Sequence, residues 1–455
     1  MKLIDRPEYL GQLKQWENHA DLVKIITGVR RCGKSKLFEL FQNHLKSNGV
    51  GGEQIVIVNL EDDIQTKQIG LALNKKSKLL EDYGRLLEFV MAKLASGKKT
   101  YVFLDEIQML DNWQRLANTL RLQKDVDIYL TGSNAYMFSS DLANEFGGRY
   151  IEIKMQPLSF KEYHSAISED TRFKFYAREW LEKNAPETPI VFSTQPSLQE
   201  AYSEYARESG FPQTVAFNHD RKMIDTYLMD SVYRNTIQKD IIQRFGITDV
   251  RRLDEITKFL FDNIGHETSL LGICRKLKSS GVDISPTTLN VYVKGLLDSY
   301  LMYKCERYDI KGKRILESDA KYYVCDIGLR RALLGRQDAD VGRALENVVF
   351  LELLHRGCKV SVGKVRTKTV NVGDKTEHQT VEVDFVATKA NGHIEYYQVA
   401  WSVLGNEDTL RRELASLEEI DDNYPKYLLT MDQGSGQTKG IKRINVMDWL
   451  LGNDS

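Results

Sequence analysis

The stretch LVKIITGVRRCGKSKLFELFQNHL, from Leu22 to Leu45, decides the fold. Its first part, up to Thr27, is a short apolar run rich in β-branched residues, which predicts a buried strand. Its last part, from Leu37, repeats apolar residues at helical spacing. Between them, GVRRCGKS matches the pattern Gly-x4-Gly-Lys-Ser of a phosphate-binding loop. The stretch therefore predicts a strand, a phosphate-binding loop and a helix in an α/β sheet.

The loop residues have separate predicted roles. Glycines let backbone N–H groups approach phosphate oxygens, and the dipole of the following helix favours negative charge. Lys34 would reach the β- and γ-phosphates of ATP, and the Ser35 hydroxyl would bind Mg²⁺. A chance match on a glycine-rich turn is the alternative, and both flanks argue against it. The predicted nucleotide-binding residues are Gly28, Val29, Arg30, Arg31, Cys32, Gly33, Lys34, Ser35 and Lys36.

A second apolar strand ends in two acidic residues. KKTYVFLDEIQML contains the run Tyr101 to Leu104, followed by Asp105 and Glu106. Asp105 would hold Mg²⁺ through water, and Glu106 would polarise the attacking water. The alternative is a solvated pair at a helix start, but strand, acidic pair and phosphate loop occur together. Asp105 and Glu106 are therefore predicted catalytic residues.

Two further catalytic candidates follow a third apolar strand, VDIYLTGSNAYMF. Asn134, with Ser133 as second choice, would sense the γ-phosphate from the strand tip; ordinary turn chemistry is the alternative. Arg149 follows two glycines in FGGRY and would stabilise transition-state charge. A surface salt bridge is the other interpretation of Arg149.

Cys32 is an unusual residue in a phosphate loop. Nearby positive charge and the helix N-terminus would lower the pKa of its thiol, which predicts a reactive group that bound ATP protects. The alternative is a small side chain whose sulfur has no role. The chain has five cysteines and no Cys-x-x-Cys spacing, which suits free thiols in a reducing cytoplasm.

Length and composition limit the class of protein. A chain of 455 residues predicts about three domains. A net charge of −1 argues against a protein that coats nucleic acid by bulk attraction, although a local basic patch remains open. No apolar run reaches membrane-spanning length, so a cytoplasmic protein without membrane contact is expected.

The stretch VEVDFVATKANGHIEYYQVA raises the question of a nuclease. Glu382 and Asp384 lie two apart on a predicted strand, so both carboxylates would leave one face. A metal-dependent nuclease would place a lysine where Ala400 stands at the end of the next strand. A nuclease, the remains of one and an ordinary hairpin are the three interpretations.

These motifs resemble those of prokaryotic AAA-type ATPases (AAA+ superfamily) that carry a C-terminal domain of unknown function. The matching segments are ITGVRRCGKS, VFLDEIQ, LTGSNA, GGRY with PLSFKEY, SGFPQTV, RNTIQKDIIQRFGITD, KYYVCDIGLRRALLG, ALENVVFLELLHRG and VEVDFVA. The resemblance implies an α/β fold: a P-loop NTPase parallel sheet with a helical lid, a winged helix and a C-terminal restriction-endonuclease-like domain. The implied domains are 1–155 (ATPase core), 156–250 (lid), 251–335 (winged helix) and 336–455 (nuclease-like).

The middle of the chain leaves DNA binding open. Three predicted helices followed by two β-rich runs form the order of a winged helix, with Ser285 and Pro286 starting the third helix. That helix offers only Asn290 and Lys294 to base edges, so a structural or protein-docking module is the alternative. The candidate phosphate contacts in the wing are Arg307, Lys311, Lys313 and Arg314. Charged residues on the predicted lid are Arg234, Lys239 and Arg244, either near nucleotide or on a solvated face.

The restriction-nuclease fold that the resemblance implies would place metal ligands at Glu346 and Asp384. Gln398 replaces the second acidic ligand and Ala400 replaces the lysine, so the fold is predicted to persist without the chemistry. Glu346 would then pair with a neighbour such as Arg343.

The sequence as a whole predicts an ATPase that couples Mg²⁺-dependent ATP hydrolysis to movement of C-terminal modules. One alternative is an ATP-gated protein that binds or cleaves DNA. The other is a slow nucleotide switch that docks a protein partner. A homo-oligomer remains open.

Overall fold

The computed structural model describes residues 3–75, 77–95, 97–135, 146–168, 197–335, 340–366, 370–372, 375–377 and 380–453. The chain forms two compact units. The first comprises Met1–Pro157, Asn235–Asp240 and Asp298–Tyr300, and the second comprises Leu158–Arg234, Ile241–Leu297 and Leu301–Ser455.

A five-stranded sheet forms the centre of the first unit, in the order β2-β5-β6-β1-β7. Its strands are β1 (Val23–Thr27), β2 (Ile55–Asn59), β5 (Thr100–Asp105), β6 (Val126–Gly132) and β7 (Tyr150–Lys154). A small hairpin lies beside it, made of β3 (Ala72–Leu73) and β4 (Leu80–Glu81). Every pairing in the five-stranded sheet is parallel, so the carboxyl ends of β1, β5 and β6 meet at one edge. The predicted parallel sheet is therefore confirmed.

Apolar side chains cover this sheet. All residues of β1, β5 and β6 are buried, as their near-continuous apolar sequences require. The helices of the first unit are α1 (Pro7–Gln15), α2 (Lys34–Ser47), α3 (Asp63–Ile69), α4 (Tyr83–Met91) and α5 (Trp113–Arg121). Helix α5 shows how they pack: Trp113, Leu116 and Leu120 fall on one face at helical spacing and join the core.

The chain after residue 158 begins with helices. These are α6 (Phe160–Ser168), α7 (Leu198–Arg207), α8 (Arg221–Thr226), π-helical turns over Tyr227–Arg234 and Ile237–Ile242, α9 (Gln243–Phe245), α10 (Val250–Asp262), α11 (Leu270–Ser279) and α12 (Pro286–Asp298). The predicted start of α12 is confirmed, because the Ser285 hydroxyl accepts a hydrogen bond from the Thr288 N–H at 3.1 Å. Ser269 caps α11 in the same way, at the Gly272 N–H.

An eight-stranded sheet dominates the second unit, in the order β16-β17-β15-β14-β13-β10-β8-β9. Its strands are β8 (Met302–Asp309), β9 (Arg314–Val324), β10 (Lys359–Arg366), β13 (Thr380–Thr388), β14 (Ile394–Ala400), β15 (Lys426–Thr430), β16 (Gly436–Thr438) and β17 (Ile441–Asn445). The separate pair β11 (Val370–Val372) and β12 (Lys375–Glu377) is antiparallel. The remaining helices are α13 (Ile327–Leu334), α14 (Val341–His355), α15 (Glu407–Glu418) and α16 (Val446–Leu451).

The hairpin β8–β9 follows three helices, which is the order predicted for a winged helix. Its strand β8 also pairs in parallel with β10, so Arg307 lies opposite Val362. Strands on both sides of the predicted boundary at residue 336 therefore share one sheet. The two units also differ from the four predicted domains, which remain a sequence-based expectation.

Candidate functional site

The phosphate loop lies between the buried end of β1 and the start of α2. Gly28 (φ 150°) and Gly33 (φ 109°) adopt backbone angles that favour glycine. A Cβ at Gly28 would lie 2.0 Å from the carbonyl oxygen of Met155, so only glycine fits there. The Lys34 ammonium is buried and donates to the carbonyl oxygens of Gly28 (2.9 Å) and Val29 (3.2 Å). The lysine is thus held at the loop it was predicted to serve.

The acidic pair lies next to this loop. Asp105 ends β5, and its side chain is hydrogen-bonded to the hydroxyls of Ser35 and Thr131. Burial raises the pKa of Asp105, and those two hydrogen bonds oppose the rise. A hydroxyl and a carboxylate are hard oxygen ligands, so Ser35 and Asp105 fit the Mg²⁺ that the motif implies. The structure therefore brings the two predicted metal-binding residues together.

Glu106 follows in a left-handed conformation, with φ of 54°. Its backbone N–H donates to the Thr131 hydroxyl at 2.9 Å. Its carboxylate accepts from the Gln108 amide, which also donates to the Ser133 hydroxyl at 3.0 Å. Thr131 and Gln108 lie in the matched segments LTGSNA and VFLDEIQ, but the sequence reasoning assigned neither of them a role. Both hold the acidic pair in place.

The tip of β6 carries the two sensor candidates. Ser133 is buried and lies 3.5 Å from Asp240, in addition to its contact with Gln108. Asn134 is also buried, next to it in the chain. Asn134 was the first choice for the sensor and Ser133 the second. The sensing role of either residue remains a prediction.

Arg30 of the phosphate loop forms ion pairs with Asp240 and Glu61. Its guanidinium donates to both carboxylate oxygens of Asp240, at 2.6 and 3.0 Å, and to Glu61 at 3.0 Å. Glu61 also pairs with Lys239 at 2.9 Å. Burial alone would lower the pKa of Arg30, but Asp240, Glu106 and Glu61 raise it above its ordinary value. Sequence reasoning placed the segment around Asp240 in the predicted lid but gave Asp240 itself no role.

The burial of Cys32 contradicts the prediction that its thiol is reactive. Its side chain is fully buried, and its sulfur lies 3.6 Å from the carbonyl oxygen of Met155. Burial raises the pKa of the thiol, and this outweighs the lowering by Lys34 and Arg6. The small side chain fits the loop, which was the alternative interpretation.

The remaining predicted residues lie apart from this group. Lys36 is exposed and pairs with Glu39 at 2.6 Å, and Arg31 is exposed. Arg149 is also exposed, and it directly precedes Tyr150, which lies opposite Val23 at the start of β1. The phosphate loop follows the other end of β1, about 13 Å away for a five-residue strand. Arg149 is thus on the opposite edge of the sheet from the loop of its own chain.

The second unit shows where the predicted nuclease residues lie. Glu346 pairs with Lys321 at 2.9 Å, whereas Arg343 pairs with Asp340, so the predicted Glu346–Arg343 pair is wrong. The Gln398 amide donates to Glu413 at 2.9 Å, and its carbonyl oxygen lies near Ser416. The described residues include no group of three or more His, Cys, Asp or Glu side chains arranged to hold a metal ion.

The predicted basic wing is partly neutralised. Arg307 forms ion pairs with Glu267 (3.0 Å) and Asp319 (2.9 Å), which leaves it less suited to phosphate contact. Lys313 and Arg314 are exposed at the turn between β8 and β9. Lys311, also on the wing, is exposed as well. On α12, the two candidates for contact with bases, Asn290 and Lys294, are both exposed.

Comparison with known proteins shows the family. Residues 20–164 match the family described as "AAA domain", and residues 199–340 match a domain of unknown function. An uncharacterized protein of Haemophilus influenzae is 35% identical over 451 residues, covering 99% of each chain. This chain belongs to the same family. A second relative, an uncharacterized protein of Methanocaldococcus jannaschii, is 26% identical over 94% of this chain and 85% of its own length.

Among solved structures, a Walker-type ATPase of Pyrococcus abyssi is 17% identical, with a TM-score of 0.38 over 72% of this chain and 95% of its own. Within the described part of the chain, none of the helices combines the length and the apolar character needed to span a bilayer.

Proposed function

We propose that this family member binds ATP with Mg²⁺ and hydrolyses it at the edge of the first sheet. One observation carries the proposal: Ser35 at the start of α2 is hydrogen-bonded to Asp105 at the end of β5, and Glu106 follows directly. This contact joins the phosphate loop to the acidic pair, which is what hydrolysis of a nucleotide requires.

Each residue has a task in this proposal. Lys34 leaves the loop carbonyls and neutralises the phosphate that will be transferred to water. Bound Mg²⁺, held by Ser35 and Asp105, would neutralise further phosphate charge. Glu106 accepts a proton from the attacking water, and Gln108 fixes the orientation of its carboxylate.

The ionic contacts of Arg30 would couple ATP hydrolysis to movement of the helical segment that contains Asp240. Arg30 belongs to the phosphate loop, and Asp240 belongs to the helical segment through which the chain enters the second unit again. A change of loop conformation on phosphate release would alter this contact and so act on that segment. The proposed function is therefore hydrolysis coupled to movement of the C-terminal modules.

The test compares two variants in full-length protein. Lys34→Ala should abolish ATP binding, because the phosphates lose their cation. Glu106→Gln should keep ATP affinity and slow phosphate release by roughly 10²–10⁴-fold, because only water activation is lost. Lys46→Ala, at an exposed lysine of the same helix, is the matched control and should change neither quantity. Binding is measured by calorimetry and hydrolysis by phosphate release.

The same assay separates the alternatives. Stimulation of phosphate release by duplex DNA would favour an ATP-gated DNA-binding protein. Tight ATP binding by the parent with negligible phosphate release would favour a nucleotide switch. Hydrolysis by Glu106→Gln at the parent rate would overturn the assignment of the acidic pair.

A further inference from the structure

Lys321, on β9, lies inside a cluster of three carboxylates in the second unit. Its ammonium is 2.9 Å from Glu346, 2.8 Å from Glu382 and 3.7 Å from Asp384. Its side chain is only 4% exposed, so this is a buried cation and not a surface ion pair. Nothing in the sequence motifs indicated that a lysine would meet these acids.

The three carboxylates come from two elements and are each fixed by another donor. Glu346 on α14 accepts from the Tyr323 hydroxyl at 2.6 Å. Asp384 on β13 accepts from the Val399 N–H at 2.9 Å, and Glu382 on the same strand accepts from Lys364 at 2.7 Å. The cluster is therefore a built cage of hard oxygen atoms with a positive charge among them.

Three acidic groups this close require a counter-charge or a proton on one of them, and burial together with Glu346 raises the pKa of Asp384. Buried like charges repel strongly because the protein interior screens them weakly. A divalent cation is one common solution, since Mg²⁺ and Mn²⁺ prefer carboxylate oxygens. A lysine placed among the same oxygens is another solution, and it is the one observed.

We propose that Lys321 occupies the position of a divalent cation and supplies its charge from within the fold. The second unit then holds these three acids around a lysine, without needing a metal at this place. Burial would lower the pKa of Lys321, but Glu346, Asp384 and Glu382 raise it above its ordinary value, so the ammonium stays charged.

The neighbouring residues agree with this assignment. Gln398, at the position of a second acidic ligand, makes its amide contact with Glu413 on α15. Ala400 stands where a metal-dependent nuclease would have a lysine, and its methyl side chain cannot orient a water molecule. The second lysine, Lys364, contacts only Glu382 of the three acids and also pairs with Glu267 outside the cluster. Lys321 alone, among these described neighbours, contacts all three carboxylates.

The test creates the metal site by removing the lysine. Lys321→Met keeps the length of the side chain and removes its charge, so the nucleotide-free protein should gain one Mn²⁺ site. Calorimetry should show binding at least about tenfold tighter than in the parent, and millimolar Mn²⁺ should raise the unfolding temperature of the variant only. Lys364→Met is the matched control and should gain no site. Lys321→Met with Glu346→Gln should lose the gain, because one ligand is removed.

The remaining outcomes also decide the proposal. If Lys321→Met does not fold alone, either Mn²⁺ or the added Glu346→Gln substitution should restore folding, since both reduce the unbalanced negative charge. Failure of both would overturn the proposal. A folded Lys321→Met protein without Mn²⁺ affinity would also overturn it. So would Mn²⁺ binding, or Mn²⁺-dependent plasmid cleavage, by the parent that is lost in Asp384→Asn.

Discussion

At the residue scale, burial affects the pKa of the Cys32 thiol more than the nearby positive charges do. Lys34 and Arg6 lower the pKa of its thiol, as the run of cations in the loop led us to expect. The sulfur is nevertheless removed from water beneath the loop, and the cost of burying a thiolate is larger. Positive charge in the neighbouring sequence therefore does not by itself predict a reactive thiol.

The first prediction follows from this burial. Maleimide should label Cys274, the partly exposed cysteine, faster than Cys32 in the folded protein. Bound ATP should leave the labelling of Cys32 unchanged, because the closed loop already protects it. Mass spectrometry of timed samples measures both rates, and denaturant provides the control in which the two thiols react alike. Labelling of Cys32 that matches Cys274 and falls on adding ATP would restore the reactive-thiol interpretation.

At the element scale, the contact of Arg30 with Asp240 fastens a helical segment to the phosphate loop. Both side chains are buried and share two hydrogen bonds in a bidentate geometry. A buried pair of this kind contributes little on balance, but removing one partner leaves a costly unpaired charge. The pair therefore couples the segment to the loop more than it stabilises the protein.

The second prediction concerns Asp240→Ala. The variant should lose about 3–5 kcal/mol of unfolding free energy and bind ATP more weakly, because Arg30 no longer holds the loop. Asp230→Ala is the matched control: it breaks an exposed pair with Arg234 in the same helical run and should cost under about 1 kcal/mol. Chemical denaturation and nucleotide titration supply the two measurements. Equal effects of the two substitutions would contradict the coupling.

The start of helix α13 gives a structural reason for two segments that carry the family resemblance, CDIGL and SGFP. Asp326 caps this helix at the Leu329 N–H (2.7 Å) and also accepts from the Gly210 N–H (2.7 Å). A Cβ at Gly328 would lie 2.0 Å from the carbonyl oxygen of Glu208. The segments CDIGL and SGFP are therefore packed backbone against backbone, which requires glycine at residue 328.

The third prediction is that Gly328→Ala destabilises the protein by about 1–3 kcal/mol or more, because the added Cβ would meet the backbone of Glu208, which cannot easily move. Gly342→Ala is the matched control, since its Cβ would meet nothing closer than 3.8 Å. That control should be neutral or slightly stabilising, as alanine is favoured over glycine in a helix. Thermal unfolding compares the two. A neutral Gly328→Ala variant would show that the backbone contact can relax.

At the scale of the whole molecule, the parallel sheet separates Arg149 from the phosphate loop of its own chain. The loop follows the carboxyl end of β1, and Arg149 lies beside its amino end. A role in hydrolysis therefore needs a second copy of the chain that presents its Arg149 to this site. Whether Arg149 takes part in hydrolysis therefore depends on whether copies of the chain assemble.

The fourth prediction tests that assembly. Arg149→Ala should reduce phosphate release while leaving ATP affinity nearly unchanged, because the side chain acts only on transition-state charge. Mixing it with Lys34→Ala protein should partly restore turnover, since each copy supplies what the other lacks. Arg85→Ala, an exposed arginine paired with Asp82, is the control and should have no effect. Light scattering that shows only monomers with ATP would exclude this role.

The candidate nucleotide site was largely predictable because its signals are local. A buried strand, a glycine-rich loop, an amphipathic helix and an acid-ended strand are each contained in a few adjacent residues, and parallel pairing then places their ends together. The alternation of the strand that carries Glu382 and Asp384 likewise predicted that both acids lie on one face, where both meet Lys321.

Tertiary structure alone decided which charges meet. Arg30 and Asp240 are 210 residues apart, and Lys321 and Glu346 are 25 apart, so no spacing rule joins either pair. Burial of Cys32 beneath the loop depends on Met155, from a different element. Periodicity and turn chemistry describe neighbours along the chain, whereas the energy of a buried charge depends on what the folded chain places around it. The sequence by itself determined the phosphate loop and its acidic pair; the fold determined that Arg30 is paired with Asp240, that Cys32 is buried and that a lysine stands among the three C-terminal acids.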